Sequence, residues 1–206
     1  RSFGHERLST LALSPDGQFL LAGTETGSLV LWKMGTGDLI CVVEAAHFQA
    51  VKVIRFSPDG QTVVSGAADA LVKVWSWSKL LLAPSTGTLE ALYTFSQHSA
   101  PITDLVLSLC TIGSTRGRLL SASLDGKCNL YDLVDGQLLL NLSFPCEITA
   151  VAMNAQETCI FAAGINGNIY PCHLNGSSSS NTPAALQFHK GPISSLKWSL
   201  DERVLI

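Results

Sequence analysis

Apolar residues come along this chain in short runs broken by polar stretches rich in Gly, Asp, Ser and Pro. No stretch of a dozen residues keeps a helical 3.6-residue period, so the pattern predicts strands joined by tight turns, an all-β chain. Between Ala50 and Ser76 the sequence AVKVIRFSPDGQTVVSGAADALVKVWS predicts strands at Val51 to Phe56, Gln61 to Gly66 and Leu71 to Trp75. The run from Leu89 to Phe95 predicts a fourth. The first two are linked by SPDG, a hairpin turn by its chemistry: Pro58 fixes φ at the first corner, Asp59 bonds to the backbone beyond it, and Gly60 takes the left-handed position.

SPDGQ also stands at Ser14 to Gln18, and its neighbours repeat with it. Ser14 and Ser57 lie 43 residues apart, as do Trp32 and Trp75, so a whole unit is duplicated with no insertion inside it. A third repeat begins at His98 and reaches Tyr131 at the tryptophan position, lengthened by insertions around WSKLLLAPSTGT and LCTIGSTRGR. The fourth, ITAVAMNAQETCIFAAGINGNIYPCHL, is eroded, with Cys172 at the tryptophan position and Asn166 at that of Asp69. A fifth opens with HKGPISSLKWSLDERVLI. Before it, NGSSSSNTP is a polar low-complexity loop expected to be mobile.

Composition narrows the function classes. Thirteen Lys and Arg against sixteen Asp and Glu give a net charge of -3 and no basic stripe beyond Arg116-Gly-Arg118, which argues against sequence-specific nucleic-acid binding. No run approaches the roughly 18 apolar residues of a membrane span, and LLLA near Leu80 and CIFAAGI from Cys159 are strand-sized. The six cysteines form no C-x-x-C pair and fall mostly within apolar runs, so they read as reduced thiols of a nuclear or cytosolic protein. Cys172-His173 is no metal pair, since adjacent strand residues point to opposite faces, and Gly113 and Gly117 lack the spacing of a phosphate-binding loop. Asn141-Leu-Ser143 and Asn175-Gly-Ser177 fit the glycosylation pattern, which a reduced-thiol compartment makes irrelevant.

One constellation resembles a catalytic centre. His47, Ser65 and Asp69 supply the residue types of a hydrolase triad, and His98, Ser121 and Asp125 repeat them. Duplication argues against catalysis, as does a serine within a strand, because a hydrolase needs one nucleophile exposed at a turn beside an oxyanion hole.

Four-stranded repeats of about 43 residues, each opening near a histidine and closing its third strand at Trp, resemble WD repeats, the blades of a β-propeller. The resemblance covers essentially the whole chain and is fullest in the second repeat. It implies blades at about 8–44, 50–95, 101–144 and 147–189 and the start of a fifth at 190–206, part of a longer protein whose ring usually has seven. It also implies that His47, Ser65, Asp69 and Trp75 form a hydrogen-bonded structural tetrad, with a partial one at His98, Ser121, Asp125 and Tyr131. The first repeat has Ala22 and Thr26 at the serine and aspartate positions and is expected to lack the network.

The stretches VWSWSKLLLAPS, LYTFSQHSAPITDL and NLSFPCEITAVAMNAQETCIFAAGINGNIY are further similar to the WD-repeat subunit of the rixosome, a nuclear and nucleolar complex of large-ribosomal-subunit maturation. That resemblance implies a non-catalytic, cofactor-free scaffold that holds other rixosome subunits, helps present an AAA ATPase to pre-ribosomal particles, and dimerises through a region outside this chain. A ubiquitin-ligase substrate receptor and a propeller hydrolase are the alternatives. The loops expected to meet partners are Ser78 to Thr88, with Ser78, Lys79, Ser85 and Thr86, and Cys110 to Arg118, with Arg116 and Arg118.

Overall fold

A computed structural model describes residues 6–109, 117–154, 156–174, 185–187, 189–199 and 205. The chain divides into two compact units, Arg1–Leu105 and Val106–Ile206.

In the first unit, β1 (Leu8–Leu13), β2 (Phe19–Thr24), β3 (Leu29–Lys33) and β4 (Asp38–Val43) form one antiparallel sheet in chain order. A second follows with β5 (Val51–Phe56), β6 (Thr62–Ala67) and β7 (Val72–Ser76). The two SPDG turns are built alike. Asp59 Oδ1 accepts from Gln61 N at 3.0 Å and Ser57 Oγ from Thr62 N at 2.9 Å, while Asp16 and Ser14 do the same for Gln18 and Phe19. Gly60 and Gly17 sit at φ 67° and 68°, the left-handed geometry the turn demands. A different constraint fixes Gly23 and Gly66, where an added Cβ would stand 2.5 Å from Val51 and from Ile102, so only glycine lets the neighbouring strand this close.

The insertion after β7 departs from the sequence expectation of strands and solvated loop. Trp77–Leu81 is a short helix, α1, with Trp77, Leu80 and Leu81 at i, i+3 and i+4 on one side; Leu80 is fully buried with Leu21, Leu31 and Trp75. A helix this short escapes any scan for sustained periodicity. Trp77 meets Phe19 and Phe56 edge-to-face, with ring centroids 5.4 and 5.1 Å apart. The chain then forms β8 (Thr86–Gly87), which adds in parallel to the outer edge of β4 as a fifth strand of the first sheet. Val42 N donates to Ser85 O at 3.1 Å and Glu44 N to Gly87 O at 2.9 Å. The fourth strand of the second sheet, β9, is only Tyr93–Phe95, because Leu89 and Ala91 pack against the first unit's core instead of pairing.

A third sheet has the order β10 (Ile102–Leu109), β11 (Gly117–Ser123), β12 (Lys127–Asp132), β13 (Leu138–Ser143), the division between the units falling within β10. The second unit continues with β14 (Ile148–Met153), β15 (Cys159–Gly164), β16 (Asn168–His173) and a two-residue β17 (Leu186–Gln187). Beyond it the fifth repeat contributes an isolated bridge between Trp198 and Leu205, and Ile193 and Leu196 are buried against Ala150, Ala152 and Ala163. The low-complexity loop, Cys110 and Arg116 lie outside the described residues.

Candidate functional site

The structure brings His47, Ser65, Asp69 and Trp75 together. Alternation along β6 and β7 turns Ser65 and Trp75 inward, the β6–β7 turn carries Asp69, and the β4–β5 connection brings in His47. His47 Nδ1 lies 3.2 Å from both oxygens of Asp69, and Nε2 lies 2.7 Å from Ser65 Oγ. Trp75 Nε1 donates to the same Oγ at 2.9 Å. Asp69 accepts two further bonds, from Phe48 N at 2.9 Å and Leu71 N at 3.1 Å. With the Nδ1–H of His47 donating to the Asp69 carboxylate, the Ser65 hydroxyl donates to Nε2 and accepts the indole N–H, and each of these polar atoms has its partner. Burial would raise the Asp69 carboxyl, but the bonds from His47 and Phe48 outweigh it and hold the group below the usual carboxylate range.

Chemically this set is closed. Ser65 is fully buried in mid-strand, paired with Ile54 and Lys73 in the ladder, and its oxygen is occupied by the indole. A nucleophile needs a free approach to oxygen and donors aimed at a developing oxyanion, and this serine has no route to substrate.

The other repeats vary the theme. In the second unit Ser121 and Tyr131 are fully buried, and burial pushes the Tyr131 hydroxyl above its ordinary value against hydrogen bonds with Asn129 and Ser121 that pull it down. Asp125 Oδ1 accepts from Lys127 N at 2.9 Å, and His98 is buried in the first unit. The first repeat, with Ala22 and Thr26, joins Thr26 to Thr24 at 2.9 Å and to Glu6 at 3.1 Å. In the fourth, Asn166 Nδ2 donates to the Tyr170 hydroxyl at 3.0 Å, and Cys146 Sγ lies 3.5 Å from that oxygen. At the first and fourth repeats a different side-chain network thus stands at the tetrad position.

Sequence reasoning missed one charged cluster. The turn NAQET places Glu157 where the first two repeats have the SPDG glycine, and Glu157 keeps that left-handed backbone at φ 54°. Its side chain is 97% buried; Oε2 takes Arg118 Nε at 3.1 Å and Oε1 accepts from Ser108 Oγ at 2.7 Å. A glutamate at a glycine position was the available signal. Arg118, expected to meet partners, has its guanidinium committed to this pair. Of the other contact residues, Ser78 and Lys79 are exposed on α1, and Ser85 and Thr86 are exposed beside or within β8, their backbone engaged with β4. Burial pushes the Cys41 and Cys172 thiols up to about 11, which removes thiolate at neutral pH.

A profile of the WD domain, G-beta repeat, matches residues 1–33, 39–76 and 89–132. WD repeat-containing protein 18 of Rattus norvegicus is 33% identical over 208 residues, covering 97% of this chain and 47% of that protein. The Homo sapiens protein of the same name is 35% identical over 167 residues, 81% of this chain and 38% of its own length. Pre-rRNA-processing protein IPI3 of Meyerozyma guilliermondii is 33% identical over 152 residues, 73% of this chain and 33% of its own. The chain spans about half the length of the rat relative it matches.

Proposed function

Because the chain belongs to the WD-repeat family, its sheets being blades of a β-propeller, we propose that it is a non-catalytic scaffold in maturation of the large ribosomal subunit. The observation that carries this reading is similarity over 97% of the chain, eroded fourth repeat included, to WD repeat-containing protein 18 of Rattus norvegicus. Generic WD repeats resemble one another through turn and tryptophan, and the fourth repeat has neither. The name of the fungal relative supports a role in pre-rRNA processing. The closed tetrad supports a role without chemistry, since a fully buried serine between histidine and indole stabilises a blade and reaches no substrate.

In this reading the protein works in the nucleus and nucleolus as the WD-repeat subunit of a rixosome-type complex, and other subunits and an AAA ATPase engage its surface on pre-60S particles. Its full length completes the ring and supplies the dimerising region. Affinity purification of the intact protein tests the proposal, the expected result being recovery of large-subunit assembly factors with spacer-containing pre-rRNA. Recovery of ubiquitin-ligase components without those factors overturns it. A serine-reactive probe that labels Ser65 or Ser121 in the folded protein overturns the non-catalytic assignment.

A further inference from the structure

Two outer edge strands of this chain have the same construction and different fates. β4 pairs with β3 through Leu31–Cys41 and Trp32–Leu39, with Ile40 as the extra residue of a bulge. β13 pairs with β12 through Leu130–Leu140 and Tyr131–Leu138, with Leu139 as the extra residue. Asn141 and Ser143 therefore occupy the register of Val42 and Glu44. In β4 those two amides point away from β3 and donate to β8. In β13 the same positions face outward, and among the described residues no strand is paired with them.

β8 belongs to the connection between the third and fourth strands of the following repeat; the corresponding connection for β13 runs from β16 to β17, where the sequence NGSSSSNTPA is polar and offers no branched aliphatic side chain to match an apolar edge. β13 also lacks the usual protection of an exposed edge: LLLNLS contains no charge and no proline. Around it Leu138, Leu139 and Val134 are 41%, 47% and 56% exposed. An edge with outward main-chain donors and an apolar margin suits strand addition, in which backbone bonds give affinity and neighbouring side chains give specificity.

We propose that β13 is a docking edge for an extended segment of a partner polypeptide, which adds in parallel beyond the Leu139 bulge as β8 adds to β4. The fitting segment is uncharged and carries aliphatic side chains towards Leu138 and Leu139, in place of Ser85 and the Thr86 of β8. The inference goes beyond the ribosomal reading, because its signature is read at β13 whatever the partner's identity.

The test compares amide hydrogen exchange in the tagged full-length protein, purified from cells with its bound partners, and in the same protein stripped of them. Asn141 and Ser143 amides are expected to exchange at least about tenfold more slowly in the assembly. Ser143→Pro removes an outward N–H and keeps the bond from the Asn141 side chain to Asn129 on β12, so it is expected to cut recovery of the protecting partner at least about tenfold with the melting temperature kept. Leu139→Lys places a charge on the edge and is expected to act alike should the proline variant fail to fold. Equal exchange in the two states, or undiminished recovery with the folded variants, overturns the proposal. Protection in the stripped protein that grows with its own concentration assigns the edge to a second copy and also overturns it.

Discussion

Replacing Asp69 by alanine tests the tetrad most directly. The carboxylate holds His47 Nδ1 at 3.2 Å and the amides of Phe48 and Leu71 at 2.9 and 3.1 Å. Phe48 is 81% exposed, so water replaces the lost acceptor there at little cost. His47 is 1% exposed, and its Nδ1 proton is left in the interior without a partner, a cost of about 1–3 kcal/mol. Loss of the Asx bond to Leu71 N loosens the β6–β7 turn and adds on the order of 0.5–1 kcal/mol. The sum, about 1.5–4 kcal/mol, corresponds to a fall of roughly 3–16 °C in melting temperature for a chain of this size. Thermal unfolding followed by circular dichroism reads it. Ser65→Ala strands the Trp75 indole N–H and removes the other His47 partner, so the double variant is expected to cost less than the two single costs added. An unchanged melting temperature for Asp69→Ala, or strictly additive losses, refutes the claim that the four residues act as one network.

Three further outcomes follow from the same geometry. Glu157→Gln keeps the left-handed backbone but turns an amide N–H towards Arg118, and is expected to cost about 1–3 kcal/mol by chemical denaturation. Glu157→Gly relieves about 1 kcal/mol of backbone strain and is expected to be the milder change; the reverse order refutes the view that the ion pair offsets the strain. Trp77→Ala removes the ring between Phe19 and Phe56 and is expected to speed exchange at the Val42 and Glu44 amides, which β8 covers; unchanged exchange refutes the anchoring role of α1. Since the folded Asp69 carboxyl lies below its unfolded value, its stabilisation is complete above the unfolded pKa near 4 and fades as pH falls through the folded one. Acid titration of wild type against Asp69→Asn is expected to show a steeper loss below about pH 4 in the wild type, and parallel curves refute the assignment.

The sequence by itself determined the elements whose causes are local. SPDG encodes its own turn through Pro58, Asp59 and Gly60, alternation sets which side of a strand faces inward, and a 43-residue period carries both from one repeat to the next. The tetrad residues were legible for the same reason, each sitting at a fixed offset within a repeat, although the resemblance to WD repeats was needed to join them. Tertiary structure alone decided what depends on residues far apart in the chain. That Thr86 would pair with Val42, that Trp77 would lie between Phe19 and Phe56, and that Glu157 would take Arg118 follow from which surfaces the packed strands bring together. The closure of the site was decided there too. A serine, a histidine and an aspartate spell the same letters in a hydrolase and in a scaffold, and only complete burial of Ser65 between His47 and Trp75 separates the two.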